Sequence, residues 1–135
     1  YDQLVRLRDW ELDEKRRELA AVQAEVDALI NKSQALEDEV QREKDIAATS
    51  YEASISYNAF ANSVILRRER IAAEILERQE AVDAANQEML VAFQELRKAE
   101  IVRDDFDAKE NLKEARREQT ELDEIARTLH RRKRW

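Results

Sequence analysis

The sequence predicts an all-α fold, with two long helices folded back on each other as an antiparallel coiled-coil hairpin. Three observations predict it. The 135 residues include no Gly and no Pro, the residues that most often punctuate turns, caps and strand ends, so the chain has few places at which to reverse. Charged residues make up 41% and hydrophobic ones 43%, a mixture rich in Ala, Glu, Leu and Arg that favours long helices. Apolar residues recur at alternating steps of three and four over most of the length, the spacing of a seam between paired helices. Aromatic and β-branched residues are too scattered for strands. So charged a chain cannot enclose a wide interior, and its core is expected to be a thin seam stabilised by packing along a line. The length fits one structural unit, 1–135.

The first helix is predicted over about 3–48, roughly 45 residues or some 70 Å at 1.5 Å per residue. Its stripe is Val5, Leu12, Leu19, Val22, Val26, Leu29, Leu36 and Val40, with gaps at Arg8, Lys15 and Ser33. Glu, Asp, Lys and Arg fill the other faces. Opposite charges at helical spacing, such as Glu11 with Lys15 and Asp38 with Arg42, support the helix slightly.

The composition then changes. From Ala47 to Ser63 the only charged residue is Glu52, and Ser, Thr, Asn and Tyr crowd in. The reversal is placed here, as an elbow over about 49–60. Thr49 and Glu52 have the spacing of a capping box. Without Gly or Pro the turn must be built from Ser, Asn and side-chain hydrogen bonds. Tyr51, Tyr57 and Phe60 cluster at this point; such aromatics more often cap a local core than bind a partner, and both readings stay open.

The second helix is predicted over about 61–131, roughly 70 residues or about 105 Å. Val64, Ile71, Ile75, Val82, Ala85, Met89, Ala92, Leu96 and Ala99 keep one register. Beyond Phe106 the stripe changes phase and resumes through Ala108, Leu112, Ala115, Leu122, Ala126 and Leu129, an interruption that locally alters supercoiling. A reversal centred near residue 55 sets Val40 near Arg70 and Leu4 near Phe106. Everything after about Asp107 then overhangs the first helix. Its apolar residues Leu112, Leu122, Ile125 and Leu129 are expected to bind something, or to pair with residues preceding Tyr1 or with a second copy.

Composition narrows the function classes. There is one His, His130, and no Cys. A helical di-iron site wants a Glu three residues before its His, where this chain has Arg127. A two-helix seam also lacks the cleft that separates the pKa values of paired carboxylates. No catalytic residue, metal site or cofactor is therefore expected. The lack of Cys excludes a disulfide framework and fits a reducing compartment. No segment approaches the roughly 18–20 apolar residues of a membrane span, and no signal peptide is visible, although the sequence opens on Tyr1 and residues can precede it. The cytoplasm is the default location. The net charge of −7 argues against nucleic acid as a partner.

The strongest local charge feature is the run Arg127, His130, Arg131, Arg132, Lys133 and Arg134, which contains no acid. One or two cations would complement a helix C-terminus. Five formal charges point further, to an acidic protein surface ahead of a solvated tail, and ahead of lipid or nucleic acid. Trp10 lies off the main stripe and is a candidate interface anchor, its plainer role being a lid on the end of the coiled coil. Trp135 ends the basic run with no assigned role.

Two stretches resemble a known family. The opening Leu7-Arg8-Asp9-Trp10-Glu11-Leu12-Asp13-Glu14-Lys15-Arg16-Arg17 is similar to the start of the flagellar export protein FliJ of α-proteobacterial type. The closing Ala115-Arg116-Arg117-Glu118-Gln119-Thr120-Glu121-Leu122-Asp123-Glu124-Ile125-Ala126, followed by His130-Arg131, is similar to its end. The chain departs at the elbow, where Gly or Pro is expected, which puts the turn geometry in question. The resemblance implies a non-enzymatic, cytoplasmic component of the flagellar type III export apparatus, peripheral to the inner membrane at the basal body and needed for motility. It implies a coiled coil similar to the stalk of rotary ATPases, and three partners: the hexameric export ATPase, the cytoplasmic domain of the export gate, and the export chaperones. Arg8, Trp10, Arg127, His130, Arg131, Arg132, Lys133 and Arg134 would then face the ATPase, and Tyr51, Tyr57 and Phe60 the gate. The alternative is a generic coiled-coil segment whose role is oligomerisation or scaffolding.

Overall fold

The computed structural model describes residues 1–134, and these form two α-helices, α1 (Asp2–Ala47) and α2 (Tyr51–Arg134). No strand occurs among the described residues. The helices pack against each other, so the all-α helical hairpin predicted from the heptads is the fold. Residue contacts divide it into two units where the sequence suggested one: Glu11–Ala92, and Tyr1–Trp10 together with the chain from Phe93 onward. A two-helix seam has this property because each residue touches only its neighbours along the helix and directly across it.

The unit Glu11–Ala92 contains the reversal and most of the core. Leu36, Val40, Val64 and Ile71 form a buried cluster, with Phe60 and Ile75 packed against it. Leu12 is buried farther along the same seam. Burial follows the three-four spacing along α1, so Lys15 and Ser33, the polar gaps in the stripe, are half-buried like Leu19, Val22, Val26 and Leu29. On α2 the matching positions are Val82, Ala85, Met89 and Ala92. Hydrophobic burial is thus a line one side chain deep on each helix.

The reversal is tighter than the expected elbow, and residues 51–60 already belong to α2. Two hydroxyls close it. The Thr49 backbone N–H and Oγ1 both donate to the Ile46 carbonyl, at 3.0 and 2.6 Å, occupying an acceptor left open at the end of α1. Ser50 Oγ accepts from the Ala53 backbone N–H at 3.1 Å, and the Ser50 carbonyl accepts the first helical bond from Ser54 at 3.1 Å. Ser50 is therefore the N-cap of α2. The expected capping box of Thr49 with Glu52 does not form, because the Thr49 hydroxyl is committed to α1. No residue has positive φ among the described residues. Helices often end on a left-handed residue, usually Gly; this turn does without one, which accounts for the missing Gly.

Cross-helix ion pairs report the register within this unit. Lys15 meets Glu88 at 3.2 Å, Arg78 meets Glu25 at 2.9 Å, Arg68 meets Glu37 at 2.7 Å and Arg67 meets Glu39 at 3.0 Å. With Glu39 beside Arg67, Val40 is not set against Arg70 as the wider elbow implied. The shorter turn draws earlier residues of α2 across from each position of α1.

In the other unit, the Tyr1 ring lies 5.1 Å from the Phe106 ring, the place expected for Leu4. Ala99 is buried, and Val5 and Arg8 are half-buried. From Asp104 to Arg134 every residue of α2 is exposed.

Candidate functional site

The exposed end of α2 is held helical by its own sequence. Lys109 pairs with Asp105 at 3.0 Å, Lys113 with Glu110 at 3.4 Å and Arg117 with Glu114 at 3.6 Å, all at helical spacing. Gln119 donates to Asp123 at 3.1 Å, and the hydroxyls of Thr120 and Thr128 donate back to the carbonyls of Arg116 and Glu124. Such pairs favour a helix without adding a core. Arg131, Arg132, Lys133 and Arg134 occupy the last turn, with Arg127 and His130 in the turn before. Cations there complement the partial negative charge of the open carbonyls. All six predicted residues of the run are exposed on one helix end. Trp135 lies outside the described residues.

Arg8 and Trp10 are not brought to that cluster. Tyr1 packs at the level of Phe106, and Arg127 follows Phe106 by a distance of about 30 Å along the helix at 1.5 Å per residue. Trp10 lies farther still, because α1 runs the other way. Its side chain is 59% exposed, as an interface anchor requires, whereas Arg8 is half-buried on the seam side. The residues assigned to one face in the sequence thus form two separate places.

At the reversal, the aromatic cluster divides by role. Phe60 packs on the buried cluster and the Tyr57 ring lies 6.0 Å from the Phe60 ring, so both belong to the local core. Tyr51 is left 81% exposed. Ile46 and Ile55 are also exposed on this uncharged tip, and sequence reading passed over them. Their signal was available: both are large aliphatics off the heptad stripe, Ile55 inside the segment nearly free of charge and Ile46 at its edge.

The electrostatics serve packing rather than chemistry. Hydrogen bonds from Arg68 hold the Glu37 carboxyl below its usual range, and those from Arg67 do the same for Glu39. Hydrogen bonds to Glu88 and then Glu18 raise Lys15. Every one of these groups is solvent-accessible; Glu37–Arg68, Glu39–Arg67 and Lys15–Glu88 tie α1 to α2, while Lys15–Glu18 lies within α1. Among the described residues, no group of three or more His, Asp and Glu side chains is placed to hold a metal ion. None of the described helices is long and apolar enough to cross a membrane.

Residues 1–134 match the sequence model of the family described as the flagellar FliJ protein. The chain belongs to the flagellar FliJ family. No curated relative and no solved structure matches it. Membership gives the chain a role in flagellar export and an association with the export apparatus. Both end motifs that carried the resemblance fall within the matched span, one on α1 and one on α2.

Proposed function

We propose that this FliJ-family chain is a non-enzymatic coupling element of the export apparatus, which binds the export ATPase through the exposed end of α2. The observation that carries the reading is the exposed stretch of α2 from Asp104 to Arg134, which closes on five formal positive charges with no acid among its last ten residues. A helix end of this kind fits an acidic surface lining a ring. The charges steer encounter, and the apolar residues Leu122, Ile125 and Leu129 supply contact area. Trp10 forms a second contact at a different level, and the tip with Tyr51 turns toward the gate and the chaperones. Coupling fits paired helices, since a seam of interlocked side chains transmits position where a flexible linker does not.

The test is association of the purified chain with the purified export ATPase hexamer, and stimulation of its ATP hydrolysis. Reversing the charges at Arg131, Arg132 and Arg134 should abolish both while leaving helix content unchanged. An ATPase that neither binds the chain nor responds to it sinks the proposal. Binding that is indifferent to the three reversals sinks the assignment of the surface.

A further inference from the structure

We infer that the exposed end of α2 grips its partner with two matching sets of cations on one face, and that the partner carries two carboxylate clusters about 27 Å apart to meet them. The first set is Lys109, Lys113 and Arg116; the second is Arg127, Arg131 and Arg134. The inference rests on the reading that the export ATPase binds here, and it names the surface that the ATPase must present.

Counted along the chain, residues 104–134 hold nine acids and nine bases and are neutral. Sorted by helix face they are not. Each set runs in steps of four and then three, and the second follows the first by 18 residues, about five whole turns. Both sets therefore point the same way, inside a strip about 60° wide. From Asp104 to Arg134 this strip holds the six cations and Thr120, all exposed, and no acid. Asp105, Asp123 and Glu124 stand at its edges, and the other six acids lie a quarter-turn or more from its centre line. The guanidinium groups of Arg116, Arg127, Arg131 and Arg134 form no ion pair among the described residues, whereas the neighbouring Arg117, off the strip, pairs with Glu114 at 3.6 Å. Lys109 and Lys113 pair only within the helix, with Asp105 and Glu110, and such exposed contacts are weak enough to exchange.

Charge and shape select the occupant. Guanidinium groups take carboxylates two oxygens at a time. No apolar side chain falls in the strip, so nothing there enters a bilayer, and the net charge of −7 opposes approach to an extended phosphate surface. An acidic protein surface is the match. Two contacts on one stiff helix also reinforce each other, because once the first forms the second is an intramolecular event. Leu122, Ile125 and Leu129 lie on the opposite side of the helix from the strip. The lining of a ring reaches both sides, which a flat surface does not.

The test is the affinity of the chain and its variants for the purified export ATPase hexamer at fixed salt. Lys109→Gln/Lys113→Gln/Arg116→Gln should weaken binding about tenfold, and Arg127→Gln/Arg131→Gln/Arg134→Gln should do the same. Inserting Ala-Ala after Thr120 keeps every charge but turns the second set by about 200°. It should cost as much as losing one set, since both contacts can no longer form together. The single change Arg116→Gln should weaken binding where the neighbouring Arg117→Gln does not, a comparison that stands even if a triple variant loses helix by circular dichroism. An ATPase that binds the native chain but is indifferent to the first set, or to the insertion, overturns this inference and leaves the ATPase reading in place. An ATPase that does not bind the native chain overturns both. Vesicles of phosphatidylcholine and phosphatidylglycerol that bind the chain more tightly than the ATPase, and lose it with the same variants, would assign the strip to phosphate groups and overturn the carboxylate partner.

Discussion

Leu36 and Leu122 occupy equivalent heptad positions in helices of similar composition, yet one is 3% exposed and the other 60%. The contrast separates two things that a heptad pattern runs together, the capacity to pair and the presence of a partner. In the unit Glu11–Ala92, α1 and α2 supply each other's partner, and the result is a buried cluster with ion pairs across it. Past Phe106, the stripe continues with nothing of this chain against it. Helical structure there is supported by local pairs and by high propensity, both weak compared with burial.

The largest expected effect tests that contrast directly. Leu36→Ala removes a side chain from the centre of the cluster and should cost about 2–4 kcal/mol of stability. Leu122→Ala should change stability by less than about 0.5 kcal/mol, since it leaves no cavity. Urea unfolding of both variants, at concentrations where the chain is monomeric, measures the difference. Comparable losses would mean that the exposed end is packed against something within the chain.

How far sequence reading reached follows from the same physics. The heptads of α1 marked the seam closely enough that even its polar gaps, Lys15 and Ser33, are half-buried where the spacing put them. Helix type and pairing were legible because burial of a stripe dominates both. The reversal was not. Residues 51–60 carry one charge, Glu52, and low charge reads as a loop; instead Tyr57 and Phe60 pack in the local core while Ser54, Ser56 and Ser63 return their hydroxyls to helix carbonyls. The predicted register, with Leu4 near Phe106, already leaves Trp10 well short of the basic run, so grouping the two on one face followed from the family resemblance and not from the heptads. The family resemblance rested on the two ends, which the family match includes.

The turn offers a smaller effect. Ser50→Ala removes the acceptor for the Ala53 N–H and should cost about 1 kcal/mol, with Ser50→Asp largely retaining stability. Thermal unfolding distinguishes this from a cap at Thr49: if Thr49→Ala is the more damaging change, the two hydroxyls have been given the wrong roles. Either variant bears on the paired unit, because the turn lies within it.

The smallest effect concerns the ion pairs, and it comes with a pH signature. Glu37 and Glu39 have lowered folded-state pKa values, chiefly from hydrogen bonds donated by Arg68 and Arg67, against an ordinary value of 4.5. A depressed carboxyl contributes stability above its unfolded-state pKa and loses it as pH falls through the folded value. The gap in Tm between the native chain and a Glu37→Gln/Glu39→Gln variant should therefore be constant near neutrality. It should shrink once pH drops below about 4.5 and vanish in stronger acid, where both carboxyls are protonated. Since all four side chains are solvent-accessible, the gap is expected to be modest and to narrow with added salt. The exposed end of α2 provides the comparison. Its Lys113–Glu110 and Arg117–Glu114 pairs lie within one helix, so Glu110→Gln/Glu114→Gln should leave the cooperative transition of the paired unit in place at every pH. A shift of that transition as large as the one from Glu37 and Glu39 would show that ion pairs do not distinguish the two regions, and burial alone would then have to explain the contrast.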